Sequence, residues 1–256
     1  MAADLMDAAL IDARGQALLL PRPPQRIVSL VPSTTETLFA LGLGDRVVGV
    51  TRFCESPAQV KGLSKVGGTK DVELDRLLAL QPDLVIGNVE ENSLQIAEQV
   101  GAHFPLWMAF PKSVDDALQD LRDLGEICGV SPAAERWVAR IQAARASLKP
   151  VPFTYLYLIW RKPWMAAGQD CFISALLEEF GGENLVPGRY PELDLQQMRD
   201  LDPERVLLSS EPFPFAEKHR AELEGLETHL VDGALCSWHG VRLERAFLEL
   251  GGQLQR

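Results

Sequence analysis

Basic residues are in the minority in this chain of 256 residues: Lys and Arg number 25 against 36 Asp and Glu, a formal charge of −11 with an isoelectric point near 4.9. Non-specific binding to nucleic acid needs a basic field along the phosphates, so that class is excluded. An anionic membrane surface would repel the chain as a whole. No stretch approaches the roughly 20 apolar residues of a membrane span. The start, MAADLMDAALIDARG, has no basic region and carries Asp4, Asp7 and Asp12, and the short apolar run 17–20 ends at Pro21. That is not a secretory signal. The chain therefore reads as cytoplasmic as written, or periplasmic if a leader was removed. Cysteine is scarce as well. Cys54, Cys128, Cys171 and Cys236 are far apart and form no CxxC, which points to small buried thiols rather than a disulfide framework or metal cluster.

The common catalytic signatures are also missing. There is no G-x-S-x-G elbow, no H-E-x-x-H zinc pair and no G-x-x-x-x-G-K-[ST] phosphate loop. Gly42-Leu43-Gly44 follows a helical pattern rather than a strand, so it reads as a helix C-cap and turn. The histidines His103, His219, His229 and His239 show no ligand spacing, which speaks against a dedicated metal cage. His219 reads as an exposed helix start. His239, in a loop after Trp238, is the one most suited to face a ligand. Glu90-Glu91 and Glu178-Glu179 read as solvated faces.

What is present is an ordinary globular composition, 46% apolar and 24% charged, long enough for one large or two modest cores. Residues 9–20 suggest a hairpin turning at 12–15. Residues 26–31 (RIVSLV) read as a buried strand leading into a helix, with Ser33 and Glu36 at capping-box spacing. Strands are expected at 45–50, 84–87 and 104–108, and helices at 74–80 and 93–100. Residues 113–148 are helical throughout, broken at Gly129, with Ser131 as cap and Pro132 opening a second helix of roughly 25 Å. Strand–helix alternation then resumes: strands at 154–159, 205–208 and 228–231, helices at 171–180, 195–201 and 243–250. Such alternation argues for an α/β protein with mainly parallel sheets.

A weak internal repeat accompanies this order. Leu74, Leu77, Leu80, Pro82, Asp83, Val85 and Ile86 match Leu195, Met198, Leu201, Pro203, Glu204, Val206 and Leu207. Gly44 and Asp45 likewise match Gly182 and Glu183. Any helix–proline–acid–strand unit would give such a match. The alternative is two similar lobes, with boundaries at 1–112, 113–150 (a helical linker) and 151–256 and a ligand cleft between the lobes. Aromatic residues gather in the expected loops: Phe53, Trp160, Trp164, Tyr190, Phe213, Phe215 and Trp238. After parallel strands such residues line the carboxyl edge of a sheet, where open α/β folds bind ligands. A flat apolar lining suits a bulky planar ligand.

Five segments carry a family resemblance: RIVSLVPSTTE (26–36), LGLGDRVVG (41–49), VGGTK (66–70), LQPDLVI (80–86) and FGGEN (180–184). Together, in this order, they resemble the helical-backbone substrate-binding proteins of ABC importers, and its cobalamin-binding members give the nearest match. The resemblance implies two α/β lobes joined by one long helix, no catalysis, no intrinsic cofactor and no resident metal. It implies a monomer that holds a small-molecule ligand, with cobalamin or another metal-containing macrocycle as cargo and an ABC importer permease as partner. It places Pro32, Ser33, Thr34, Phe53, Trp164, Tyr190 and Trp238 at the ligand. Trp160, Phe213 and His239 join them from the reading of the loops. A corrin-contacting Trp of those proteins falls on Thr69. Their two permease-docking carboxylates fall on Asp75 and on Gln196, beside Asp194.

Three readings follow. The first is a binder of a corrinoid or related macrocycle. The second is a ferric siderophore or haem binder of the same fold, with Arg52, Arg161, Lys162 and Arg189 as anion partners. The third is a two-lobed cofactor-dependent enzyme, for which only His239 and Glu211 offer a base.

Overall fold

The computed structural model describes residues 10–254. The chain divides into two compact units. Among the described residues, 10–111, Asp116–Ala139 and His239–Val241 make the N-terminal lobe, and Lys112–Asp115, Arg140–Trp238 and 242–254 make the C-terminal lobe.

The N-terminal lobe opens with a hairpin of β1 (Leu10–Ile11) and β2 (Ala17–Leu18), paired antiparallel. Its turn is fixed by Asp12, whose carboxylate accepts the backbone N–H of Arg14 (2.9 Å) and Gln16 (3.1 Å). The expected hairpin thus forms where it is described, its first residue lying outside the described part. Next come β3 (Ile27–Ser29), α1 (Pro32–Ala40), β4 (Val47–Val50), β5 (Ser64–Lys65), α2 (Leu74–Leu80), β6 (Leu84–Asn88), α3 (Leu94–Gly101) and β7 (Leu106–Ala109). The five strands β5-β4-β3-β6-β7 are all parallel. The strand order reverses between β3 and β6, the switch point of a doubly wound sheet. β6 is buried along its whole length, as a central parallel strand should be. Val28, Leu30, Val85, Leu77, Ile96 and Met108 form the core beneath it.

Three N-terminal expectations need correction. Ser33 does not cap α1. Pro32 already occupies the first helical position and Val31 is the cap residue, without a side-chain bond, because proline needs no donor partner there. Strand β4 starts at Val47 rather than Asp45, since Gly44–Arg46 form a 3-10 turn. Ser131 is the first residue of its helix rather than a cap outside it. By contrast, Gly42 is the C-cap glycine expected. It sits at φ +82°, and the N–H groups of Gly42 and Leu43 donate to Phe39 and Leu38 carbonyls, each at 3.0 Å, a Schellman closure.

Helices α4 (Val114–Ile127) and α5 (Ser131–Ala146) follow. A second Schellman closure ends α4, with Gly129 at φ +69° and Val130 N–H on the Gly125 carbonyl at 2.7 Å. A Cβ on Gly125 would lie 2.5 Å from the Ala134 methyl, so glycine permits the close approach of the two helices. The division of the chain falls within α5, between Ala139 and Arg140.

The C-terminal lobe holds β8 (Phe153–Trp160), β9 (Met165–Ala167), α6 (Phe172–Glu178), β10 (Gly182–Asn184), α7 (Leu195–Asp200), β11 (Arg205–Ser209), β12 (Thr228–Val231), α8 (Gly233–Ser237) and α9 (Arg242–Leu254). The parallel order is β10-β8-β11-β12, and β9 folds back antiparallel on β8. Strands β9 and β10 were not foreseen. Each is three residues long, too short for an alternation pattern. Leu243, Ala246, Phe247, Leu250 and Leu254 give α9 a buried face.

The repeat is structural. Gln81 and Asp202 precede the matched prolines, and both adopt the left-handed region, φ 46° and 49°. The matched acids Asp83 and Glu204 both accept backbone N–H groups at the start of a parallel strand of their own lobe, β3 and β8. Asp83 accepts Gln25 and Arg26 backbone N–H groups at 2.8 Å each, and Glu204 accepts the Thr154 N–H at 2.9 Å.

Candidate functional site

At the carboxyl edge of the N-terminal sheet, β3 runs into Pro32–Thr34 and β6 ends at Asn88. Pro32 is half-buried, while Ser33 and Thr34 are buried. The Thr34 hydroxyl has no hydrogen-bond partner among the described residues. His239 reaches the same edge. Its Nε2 is 3.3 Å from Asn88 Nδ2 and 3.5 Å from Ser33 Oγ. The Asn88 amide is oriented by its oxygen, which accepts the N–H groups of Glu90 (2.7 Å) and Glu91 (3.3 Å). Its NH2 group therefore faces the imidazole, so Nε2 accepts and the proton sits on Nδ1. Burial pushes the His239 pKa down to about 4, against a smaller upward pull from Glu90. The ring is neutral at pH 7. Asn92 completes the edge, accepting Asn88 N–H (2.9 Å) and donating to the Thr69 carbonyl (2.8 Å).

Phe53, after β4, is 51% exposed, with the Arg52 guanidinium 4.8 Å from its ring centre. Arg52 is itself held in two hydrogen bonds by Asp71, at 2.8 and 2.9 Å. That pairing raises the Arg52 pKa and lowers that of Asp71.

The carboxyl edge of the C-terminal sheet is aromatic. Trp160, the last residue of β8, is 43% exposed and meets Phe213 edge-on, with ring centres 5.8 Å apart. Phe213 contacts Phe215 at 4.8 Å, and Trp164 stacks on Phe215 at 6.1 Å with planes 8° apart. His219 closes the cluster 5.2 Å from Phe213 and 5.8 Å from Phe215. The reading of His219 as exposed is thus corrected. It is buried, and its Nδ1 accepts the Ala216 N–H at 2.9 Å, because two phenylalanines fold over it. Trp164 belongs to the core packing of this lobe, whereas Trp160 presents open surface. Half-buried Tyr190 has Arg189 5.7 Å from its ring. Trp238, also half-buried, donates its indole N–H to Glu211 at 2.7 Å and has Arg242 4.5 Å from its ring centre.

Sequence reasoning missed Asn88 and Asn92. The available signal was an asparagine ending an apolar strand, LVIGN, at the carboxyl edge of the sheet. The docking candidates sit at helix starts. Asp75 is exposed in the first turn of α2. Asp194 is exposed too, but caps α7 by accepting the Gln197 N–H at 2.8 Å. Gln196 binds Asp200 at 2.7 Å. All four cysteines are buried and unbridged, as the thiol reading has it. Among the described residues no group of three His, Cys, Asp or Glu side chains converges to hold a metal ion, and no helix is long and apolar enough to cross a membrane.

Comparison with known proteins agrees with this architecture. The family described as "Periplasmic binding protein" matches residues 27–229. A vitamin B12-binding protein of Vibrio campbellii is 28% identical over 216 residues, 80% of this chain and 74% of its own length. Among solved structures, the periplasmic vitamin B12 binding protein of Vibrio cholerae superposes with a TM-score of 0.78 at 24% identity, covering 91% of this chain and 97% of the other. A periplasmic heme-binding protein from Roseiflexus sp. RS-1 gives a TM-score of 0.75 at 24% identity, covering 90% and 97%.

Proposed function

The chain belongs to the periplasmic binding protein family, and on that premise we propose that it captures a corrinoid, cobalamin or a close relative, and delivers it to an ABC importer without making or breaking a bond. The observation that carries the ligand class is the aromatic carboxyl edge of the C-terminal lobe. Trp160 and Phe213 offer flat apolar surface backed by packed rings, and Trp238 adds a third ring braced by Glu211 and Arg242, the kind of anchor that dominates binding energy. The N-terminal lobe carries polar groups at its own carboxyl edge, the N–H groups opening α1 among them. Phe53 and Tyr190 extend the apolar contact.

A ferric siderophore or haem is the second reading, favoured by the likeness to the heme-binding fold. Its anionic groups would look for cations. Arg52 is already paired to Asp71, and Arg161 to Glu222 at 2.7 and 2.6 Å. Arg189 already donates to the Asp170 carbonyl at 3.1 Å and lies beside the Tyr190 ring, so these cations are engaged within the protein, which is why the macrocycle with amide arms is preferred.

Delivery follows the same logic. The chain is a monomeric carrier on the outer face of the importer, with Asp75 and Asp194 meeting basic residues of the permease. The deciding experiment mixes the purified protein with cyanocobalamin, haemin or a ferric catecholate and desalts it. Retained cobalamin colour is expected. Retention of haemin or the catecholate alone transfers the assignment to the second reading, and retention of none refutes both.

A further inference from the structure

Glu211 is a carboxylate that the binding reading leaves unused. It lies in the loop after β11 and is half-buried beside Trp238. We propose that Glu211 is the positioning residue of the aromatic edge, fixing the Trp238 indole in the orientation that meets the ligand. The inference rests on the binding function above for its ligand consequence, but its geometric core stands in the unliganded protein.

The contacts are directional. Trp238 Nε1 donates to Glu211 Oε1 at 2.7 Å, and an indole N–H in a half-buried place needs such an acceptor. Ser237 Oγ lies 3.0 Å from the same oxygen but also 2.8 Å from the Gly233 carbonyl. Its single proton is shared, whereas the indole N–H has Glu211 as its acceptor. The Glu211 backbone is in turn held from behind. Its N–H donates to Ser209 Oγ at 3.2 Å, and the Ser209 hydroxyl hydrogen-bonds with the Glu211 carbonyl and accepts from Tyr157. A Cβ on Gly233 would fall 2.5 Å from Glu211 Cγ, so the carboxylate stem lies flat against a residue that must be small. Arg242 covers one face of the indole at 4.5 Å. With edge and one face fixed, the ring is preorganised to offer its other face, which lowers the ordering cost of binding.

The test compares Glu211→Ala, Glu211→Gln and Trp238→Phe in the whole protein, using indole N–H resonances and cyanocobalamin titration. Trp238→Phe identifies the Trp238 signal among the 5 tryptophans. In Glu211→Ala that signal moves upfield more than any other indole, and cobalamin binding weakens about tenfold, as loss of a charge-assisted bond would give. Glu211→Gln still accepts the proton. Its signal moves upfield by less and its affinity stays within about threefold. Combining Glu211→Ala with Trp238→Phe weakens binding no further than Trp238→Phe alone. An unmoved Trp238 resonance in both Glu211 variants, or losses that multiply in the double variant, would overturn the proposal. If the wild-type protein fails to bind cobalamin, the functional assignment falls, and the resonance shift in unliganded protein still decides the role of Glu211.

Discussion

His239 shows how much a single side chain can depend on its surroundings. Its four nearest facts are burial, Asn88, Ser33 and the attraction of Glu90, and burial wins, setting the pKa at about 4. The unfolded imidazole titrates near 6.5. Between those values the unfolded chain holds the extra proton, so stability is full above about pH 6.5 and falls as pH drops, by up to about 1.4 kcal/mol per unit until about pH 4. Urea unfolding as a function of pH should show this slope, and His239→Gln should flatten it. A slope unchanged by the substitution would place the titration elsewhere. The same scale separates two tryptophans that look alike in sequence. Trp160→Ala should weaken cobalamin by more than about 1 kcal/mol with little change in Tm, because the ring is open. Trp164→Ala should cost roughly 2 kcal/mol of stability through lost stacking on Phe215. Equal thermal losses in the two variants would show that Trp160 is packed as well. Sequence could mark both as loop aromatics after a strand. It could not tell them apart, because the difference lies in which phenylalanine each ring meets.

At the scale of elements the sequence was most legible where a local rule acts alone. Helix α2 spans Leu74–Leu80, the range its leucine spacing predicts, and α3 at Leu94–Gly101 lies within one residue of the expected 93–100. Legibility failed where two local rules competed, as with Ser33 against Pro32 at the start of α1, and where partners came from afar, as with β9 and β10. The repeat offers an element-level check. Gln81 holds a left-handed backbone at φ 46°, which disfavours a side chain. Gln81→Gly should therefore stabilise the protein by about 0.5 kcal/mol, whereas Ala79→Gly in the exposed helix next to it should destabilise by about 1 kcal/mol. Thermal melts of the two variants should shift in opposite directions. Shifts of the same sign would mean that the left-handed cap carries no strain.

For the whole molecule, the sequence disclosed two α/β lobes through a repeat that the structure makes physical: equivalent prolines, equivalent left-handed residues, and the equivalent acids Asp83 and Glu204 accepting backbone N–H groups at the starts of β3 and β8. The site was legible as a set of loops and not as a set of contacts. Asn88 and the grip of Glu211 on Trp238 depend on residues far apart in the chain, and no spacing announces them. The acidic balance of −11 suits the carrier role proposed above, with Asp75 and Asp194 both exposed. Capture of a corrinoid is decided by isothermal titration of the purified protein with cyanocobalamin. A saturable isotherm with one ligand per chain and a dissociation constant in the micromolar range or tighter is expected, lost at least in part in Trp160→Ala. Absence of binding at ligand concentrations on the order of 1 mM, where the gain would be below about 4 kcal/mol, would contradict it.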